Sequence, residues 1–289
     1  MAIRVVTDSS ADLPPELARR FDITVVPCYV MLGDRSHRDG LDITPDEFYR
    51  YLVSSPRLPT TAQPSVADFQ AVYADLLGQG HHVLSIHISQ KLSGTLNSAE
   101  RARALLGNDG AGRVEIVDSR LASISLGLVA LAAAQTAQTA DSLQDLASRV
   151  RQDLPLTHGL FMLDTLEYLQ KGGRIGKAQA FLGAVLSVKP ILRLQDGEVH
   201  PVERLRNRER ALGRLIEMAR ELAPARRLAV IHSTAPDQAE ALRHRLADLL
   251  PFDEIVSTRF GPTLGTYVGP GALGIGLTCA EGPAGGGAL

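Results

Sequence analysis

Short aliphatic and β-branched runs alternate with stretches of helical period along the first half of the chain. Ile3–Thr7 reads as a strand, and the polar run Asp8-Ser9-Ser10-Ala11-Asp12 leads into a helix over Pro14–Arg20. Ile23–Leu32 reads as one longer strand, and Thr44-Pro45 opens a helix through Leu52. Ser65 with Asp68 three residues on is a capping pair that starts a helix reaching Leu77. Val83–Ile88 predicts a strand, Thr95–Leu106 a helix, Val114–Val117 a strand and Ser123–Thr139 a long apolar helix. Strands alternating with helices imply a mostly parallel sheet covered on both faces.

After Leu154-Pro155 the texture changes. Helical patterns over Phe161–Leu169, Gln179–Leu186, Arg208–Leu222 and Asp237–Leu249 are separated by short strands at Lys189–Leu194, Val199–Leu205, Leu228–Ser233 and Glu254–Phe260. The Asp196-Gly197 turn between the first two of these strands predicts antiparallel pairing. The expected fold is therefore α/β: an N-terminal α/β/α domain with a mostly parallel sheet over residues 1–155, then a C-terminal α+β domain with an antiparallel sheet over 156–280. Residues 281–289, rich in glycine, read as a disordered tail.

Composition narrows the chemistry. The 289 residues carry 30 basic and 32 acidic side chains, a net charge of −2, which argues against broad nucleic-acid binding. Cys28 and Cys279 form no CxxC pair, so neither a zinc ribbon nor a disulfide framework is indicated, and a reducing cytoplasm fits best. Met1–Val6 runs straight into Asp8, leaving no room for a secretory apolar core, and the apolar run Leu126–Ala134 is far shorter than the roughly twenty residues that span a bilayer.

Several enzyme signatures fail on inspection. Gly269–Gly274 matches GxGxxG but lacks the long helix and the acidic residue that a dinucleotide site needs downstream. Gly172-Gly173-Arg174-Ile175-Gly176-Lys177-Ala178 puts alanine where a phosphate loop needs Ser/Thr. Ser93 is not in a nucleophile elbow, and His81, His82 and His87 read as solvated or core-edge residues. Asp8/Asp12 and Asp39/Asp42 read first as loop formers. Three loops survive as candidates, each with hydroxyls beside glycine or proline: Thr60–Ser65, Leu92–Ala99 and Gly265–Gly271. The first two precede helices, where backbone N–H groups favour a small anion, and Thr61 and Ser93 add hydroxyl donors without formal charge. The same residues also serve as ordinary caps and turns.

Taken in order, Val6–Pro14, the Thr61 loop, Leu92-Ser93-Gly94-Thr95, Val117-Asp118-Ser119, Leu169–Ile175, Val188–Leu192 and Gly265–Gly274 resemble the DegV family of bacterial fatty-acid-binding proteins. The resemblance spans residues 3 to about 277. It implies a cytoplasmic, non-enzymatic carrier without cofactor, its fatty acid held between the two domains and passed to a separate fatty-acid kinase in phospholipid metabolism. It further implies ligand-binding roles for Thr61, Ser93, Gly94, Thr95, Arg174, Thr266 and Tyr267, with Thr61 and Ser93 on the carboxylate. Arg206 falls where the family has a basic residue linked to kinase docking or transient membrane contact. Two positions depart from the pattern: Ala62 stands where the family has serine, and Tyr267 where it has histidine. A phenol hydroxyl still donates to a carboxylate but is a poor proton relay at neutral pH. The alternative reading is a small-molecule hydrolase or kinase-like enzyme using the Ser93 loop.

Overall fold

The computed structural model describes residues 2–183 and 188–280, so the end of the predicted Gln179–Leu186 helix and the tail fall outside the described residues. Four parallel strands organise the first half. β1 (Ile3–Asp8) is followed by α1 (Pro15–Arg20) and by β2 (Thr24–Val26), which lies along one flank of β1. The single strand expected over Ile23–Leu32 is in fact two. Pro27 withholds a backbone donor where the chain leaves the sheet, and β3 (Tyr29–Leu32) pairs antiparallel with β4 (Arg35–Arg38).

α2 (Pro45–Ser54) starts at a capping box of Thr44 and Glu47, and β5 (Thr60–Ala62) then completes a three-stranded sheet in the order β4-β3-β5. The first candidate loop is thus partly strand: Thr61 is in register with Val30. α3 (Val66–Gly78) has the predicted Ser65/Asp68 cap. β6 (His82–His87), α4 (Thr95–Ala104), α5 (Gly107–Ala111) and β7 (Val114–Asp118) complete the parallel sheet, order β2-β1-β6-β7.

α6 (Ser123–Thr136) is buried without interruption from Ile124 to Ala134. A helix apolar on every side needs cover on every side, and α6 finds it by packing on β1 and β6 and also on strands of a second sheet. α7 (Leu143–Asp153), which the sequence reading left unassigned, leads into that sheet. Its strands are β8 (Thr157–Met162), then after α8 (Glu167–Lys171) β9 (Lys189–Gln195) and β10 (Glu198–Leu205). α9 (Arg208–Glu221), β11 (Ala225–His232), α10 (Pro236–Arg245), β12 (Val256–Arg259), α11 (Pro262–Val268) and β13 (Leu273–Cys279) follow. The order is β10-β9-β8-β13-β11-β12, antiparallel throughout except for β11 and β12.

The β9–β10 hairpin turns at Asp196 and Gly197, both with positive φ, as an Asp-Gly two-residue loop requires. Two expectations are corrected here. Phe161–Leu169 is not a helix: Phe161 and Met162 end a central strand, and only Glu167–Lys171 is helical. A strand buried on both faces shows no alternation, so its apolar run mimics a buried helix. Gly265–Gly271 is not one loop either: Gly265–Val268 complete the helix α11, and only the residues after it turn toward β13. Among the described residues no helix is long and apolar enough to cross a membrane.

Candidate functional site

Between α6, the facing surface of the six-stranded sheet and α11 lies a cavity of about 260 Å³. Ile124, Leu160, Phe161, Ile231, Leu264 and Ile275 are among its apolar walls. Thr61, Gln63, Ser93, Gly94, Arg174 and Tyr267 supply its polar lining at one side, and among the described lining residues Arg174 is the only formal charge.

The polar end is built from four separate elements. β5 presents Thr61, whose Oγ1 lies 2.5 Å from the Tyr267 hydroxyl on α11. The Tyr267 ring rests on the glycine turn after α8, where a Cβ on Gly172 would fall 2.5 Å from the ring, so only glycine admits that contact. Arg174 leaves the same turn and comes back over the ring, its guanidinium carbon 5.3 Å from the ring centre. Its Nε donates to the Leu92 carbonyl (3.2 Å) and its Nη1 to the Gly172 carbonyl (2.9 Å), which ties an exposed cation to the cavity mouth. The Leu92 loop then contributes Ser93 and Gly94 just before α4, with Ser93 Oγ 2.8 Å from Thr95 Oγ1.

Five of the seven expected ligand residues, Thr61, Ser93, Gly94, Arg174 and Tyr267, therefore share one cavity wall. Thr95 and Thr266 do not join that wall. Thr95 is wholly buried behind Ser93, and the Thr266 hydroxyl is turned back to the Pro262 carbonyl at 3.0 Å. Arg206 is exposed on the bend between β10 and α9, away from the cavity.

A group of buried acids behind the wall escaped the sequence reading. Asp8, Asp12 and Asp39, which read in sequence as loop formers, are 0%, 7% and 5% exposed. His87, expected at a core edge, is fully buried with Nδ1 2.9 Å from Asp8 Oδ2, and its Nε2 continues to Ser85 Oγ (2.7 Å) and on to Tyr73 (2.8 Å). Asp8 also accepts the hydroxyl of Ser10, which lines the cavity, and Asp12 accepts that of Ser123, which does so too. Burial pushes the Asp12 carboxyl well above the usual carboxylate range against the pull of its Ser123 and Gly261 hydrogen bonds, and it raises Asp39 likewise. The Cys28 thiol beside them is pushed up by burial and then by Asp8 and Asp39, which keeps it protonated. Only the aspartates in the polar run after β1 hinted at this cluster; among its partners Gly261 and Thr263 lie more than 200 positions away.

The fold and the cavity define a class: an α/β protein whose two larger sheets flank a buried helix, with a mainly apolar chamber that has a hydroxyl-rich mouth. The chain belongs to the DegV family, whose model, described as uncharacterised proteins of that family, matches residues 2–279. Protein DegV of Bacillus subtilis is 34% identical over 279 residues, covering 95% of this chain and 98% of that one. A solved structure from Thermus thermophilus, described as fatty acid binding of a DegV family protein, matches with a TM-score of 0.89 at 37% identity over 96% of this chain and 99% of that one. A stearic acid-binding protein from Eubacterium ventriosum matches with a TM-score of 0.86 at 25% identity over 95% and 97%.

Proposed function

We propose that this chain is a non-enzymatic carrier of one long-chain fatty acid, with the acyl tail in the apolar chamber and the carboxylate at Thr61, Ser93, Gly94 and Tyr267. The observation that carries this reading is the convergence of uncharged groups from three elements, β5, the Leu92 loop and α11, at one side of a mainly apolar cavity. A sixteen-carbon tail offers roughly 12 kcal/mol of gross transfer energy at about 0.8 kcal/mol per methylene. Tail ordering offsets part of that. The head group then decides orientation, since a buried carboxylate without donors is strongly disfavoured. Hydroxyls meet that need without a buried ion pair, and Arg174, being exposed, adds only a screened attraction at the mouth.

In this reading residues 1–155 and 156–280 act as two domains about the tail, and the carrier works in the cytoplasm. A separate fatty-acid kinase receives the ligand at the mouth, with Arg206 on the docking side. The alternative of a hydrolase or small-molecule kinase-like enzyme built on Ser93 is disfavoured because the Ser93 hydroxyl is paired with Thr95 instead of a base. Denaturing mass spectrometry of the purified protein is expected to release a stoichiometric long-chain acid. The Thr61→Ala/Ser93→Ala double variant should bind hexadecanoate at least about tenfold more weakly with its melting temperature preserved. Unchanged affinity would remove both hydroxyls from the site.

A further inference from the structure

We propose that Asp12 and Asp39 are positioning residues for the mouth of the cavity: they hold the turn Gly261–Thr263 that launches α11 and thereby set Tyr267 against Thr61. The inference rests on the reading above, in which that pair meets the acid head.

The geometry is specific. Asp12, just after β1, accepts the Ser123 hydroxyl on one oxygen (2.7 Å) and the Gly261 N–H on the other (2.8 Å). Asp39, just after β4, accepts the Ser9 hydroxyl (3.0 Å) and the Thr263 N–H (3.2 Å) on the same oxygen. Each carboxylate thus joins a side chain of the first half to a backbone donor of the last 30 residues. Gly261 lies between the two acids, where a Cβ would come within 3.2 Å of Asp12 Oδ1 and 3.3 Å of Asp39 Oδ1. Two further bonds brace the approach to the turn: Thr258 Oγ1 donates to the Asp12 carbonyl (2.8 Å) and the Tyr49 hydroxyl to the Phe260 carbonyl (3.1 Å).

From there the link to the mouth is rigid. Gly265 N–H bonds the Gly261 carbonyl at 2.7 Å, and Tyr267 follows Thr263 by one helical turn on the same face. Both Thr263 and Tyr267 line the cavity. Apolar packing would hold two segments together at less cost than buried carboxylates. What carboxylates add is direction: an acceptor fixes where a particular N–H sits, which matters when a hydroxyl one turn away has to be held to within about 0.5 Å.

The test uses the full chain labelled with 3-fluorotyrosine, the Tyr267 fluorine resonance being assigned by its loss in Tyr267→Phe. Asp39→Ala and Asp12→Ala are expected to shift or broaden that resonance. They should weaken hexadecanoate binding about tenfold while changing hexadecanol binding less than about twofold, and have no further effect on hexadecanoate in the Tyr267→Phe background. Asp39→Asn, which keeps an acceptor oxygen for the Thr263 N–H, should restore both signals. If the alanine variants do not fold, Gly261→Ala, whose Cβ crowds one oxygen of each acid and asks it to give by a few tenths of an ångström, is read by the same resonance. An undisturbed Tyr267 resonance in folded alanine variants, or in folded Gly261→Ala, overturns the proposal, as does additivity with Tyr267→Phe. If the wild type binds no hexadecanoate, the fatty-acid reading falls, while the resonance still decides whether the acids place Tyr267.

Discussion

Tyr267 is held from three directions: the Thr61 hydroxyl in front, the Gly172 backbone beneath the ring and the Arg174 guanidinium above it. Its hydroxyl is the partner of Thr61 on the cavity wall, so removing it leaves Thr61 without that partner. Tyr267→Phe should weaken hexadecanoate binding by about three- to tenfold, the size of one hydrogen bond, with little change in stability. Isothermal titration on the folded variant checks this; a loss confined to melting temperature would show the phenol to be structural. At this scale the candidate site was partly legible. Thr61, Ser93, Gly94, Arg174 and Tyr267 were picked out by their likeness to an ordered set of motifs, and the fold draws them onto one wall. Thr95 and Thr266 belong to the same motifs, but a motif does not say which way a hydroxyl turns, and both turn inward. Asp12 and Asp39 were illegible because an aspartate before a turn is normally a cap, and only the docking of Gly261 and Thr263 buries them.

Elements whose signals are local were read well. The Ser65/Asp68 cap and the Asp196-Gly197 hairpin depend on neighbours a few residues away, and both are present where expected. Elements defined by distant partners were not. β3 exists as a separate strand because β5 and β4 flank it, and β13 lies between β8 and β11 in spite of Gly274 and Gly276. In the sheet those two glycines leave room for neighbouring groups: the cross-strand Ile231 beside Gly274, and Ile124 of α6 against Gly276. Helix α6 is the element on which most depends. Leu128, 1% exposed, belongs to the apolar cluster around the cavity, and Leu128→Ala should cost about 2–5 kcal/mol through lost transfer energy and a residual void. Urea unfolding with an unchanged m-value is the expected signature, and a loss below about 1 kcal/mol would mean that α6 moves to fill the gap.

Over the whole molecule the buried ionisable groups give stability opposing pH dependences. Asp12 and Asp39 have carboxyls raised above their ordinary 3.8 chiefly by burial, so the folded state keeps protons that the unfolded chain has lost. Their contribution is complete below that value and is lost as pH rises through the folded-state values. His158 and His232 are lowered from 6.5, first by burial and then by Arg193 and Arg259 respectively; their contribution is present above 6.5 and lost as pH falls. Urea midpoints measured from pH 4 to pH 9 should show the acid-linked decline with rising pH flattened in Asp12→Asn/Asp39→Asn, with the histidine-linked loss on acidification retained. An unaltered profile in the double variant would assign the decline to other groups.

Because α6 is a single rod pressed between two sheets, it makes the chamber's volume a property of both. On one side Ile124 and Ser125 border the chamber, and on the other Leu126 and Val129 belong to the core beneath β1 and β6. In the proposed carrier, a bulkier or kinked tail pushing on the rod would be resisted by the packing of strands it never touches, and selectivity for tail shape would then be written partly in the parallel sheet.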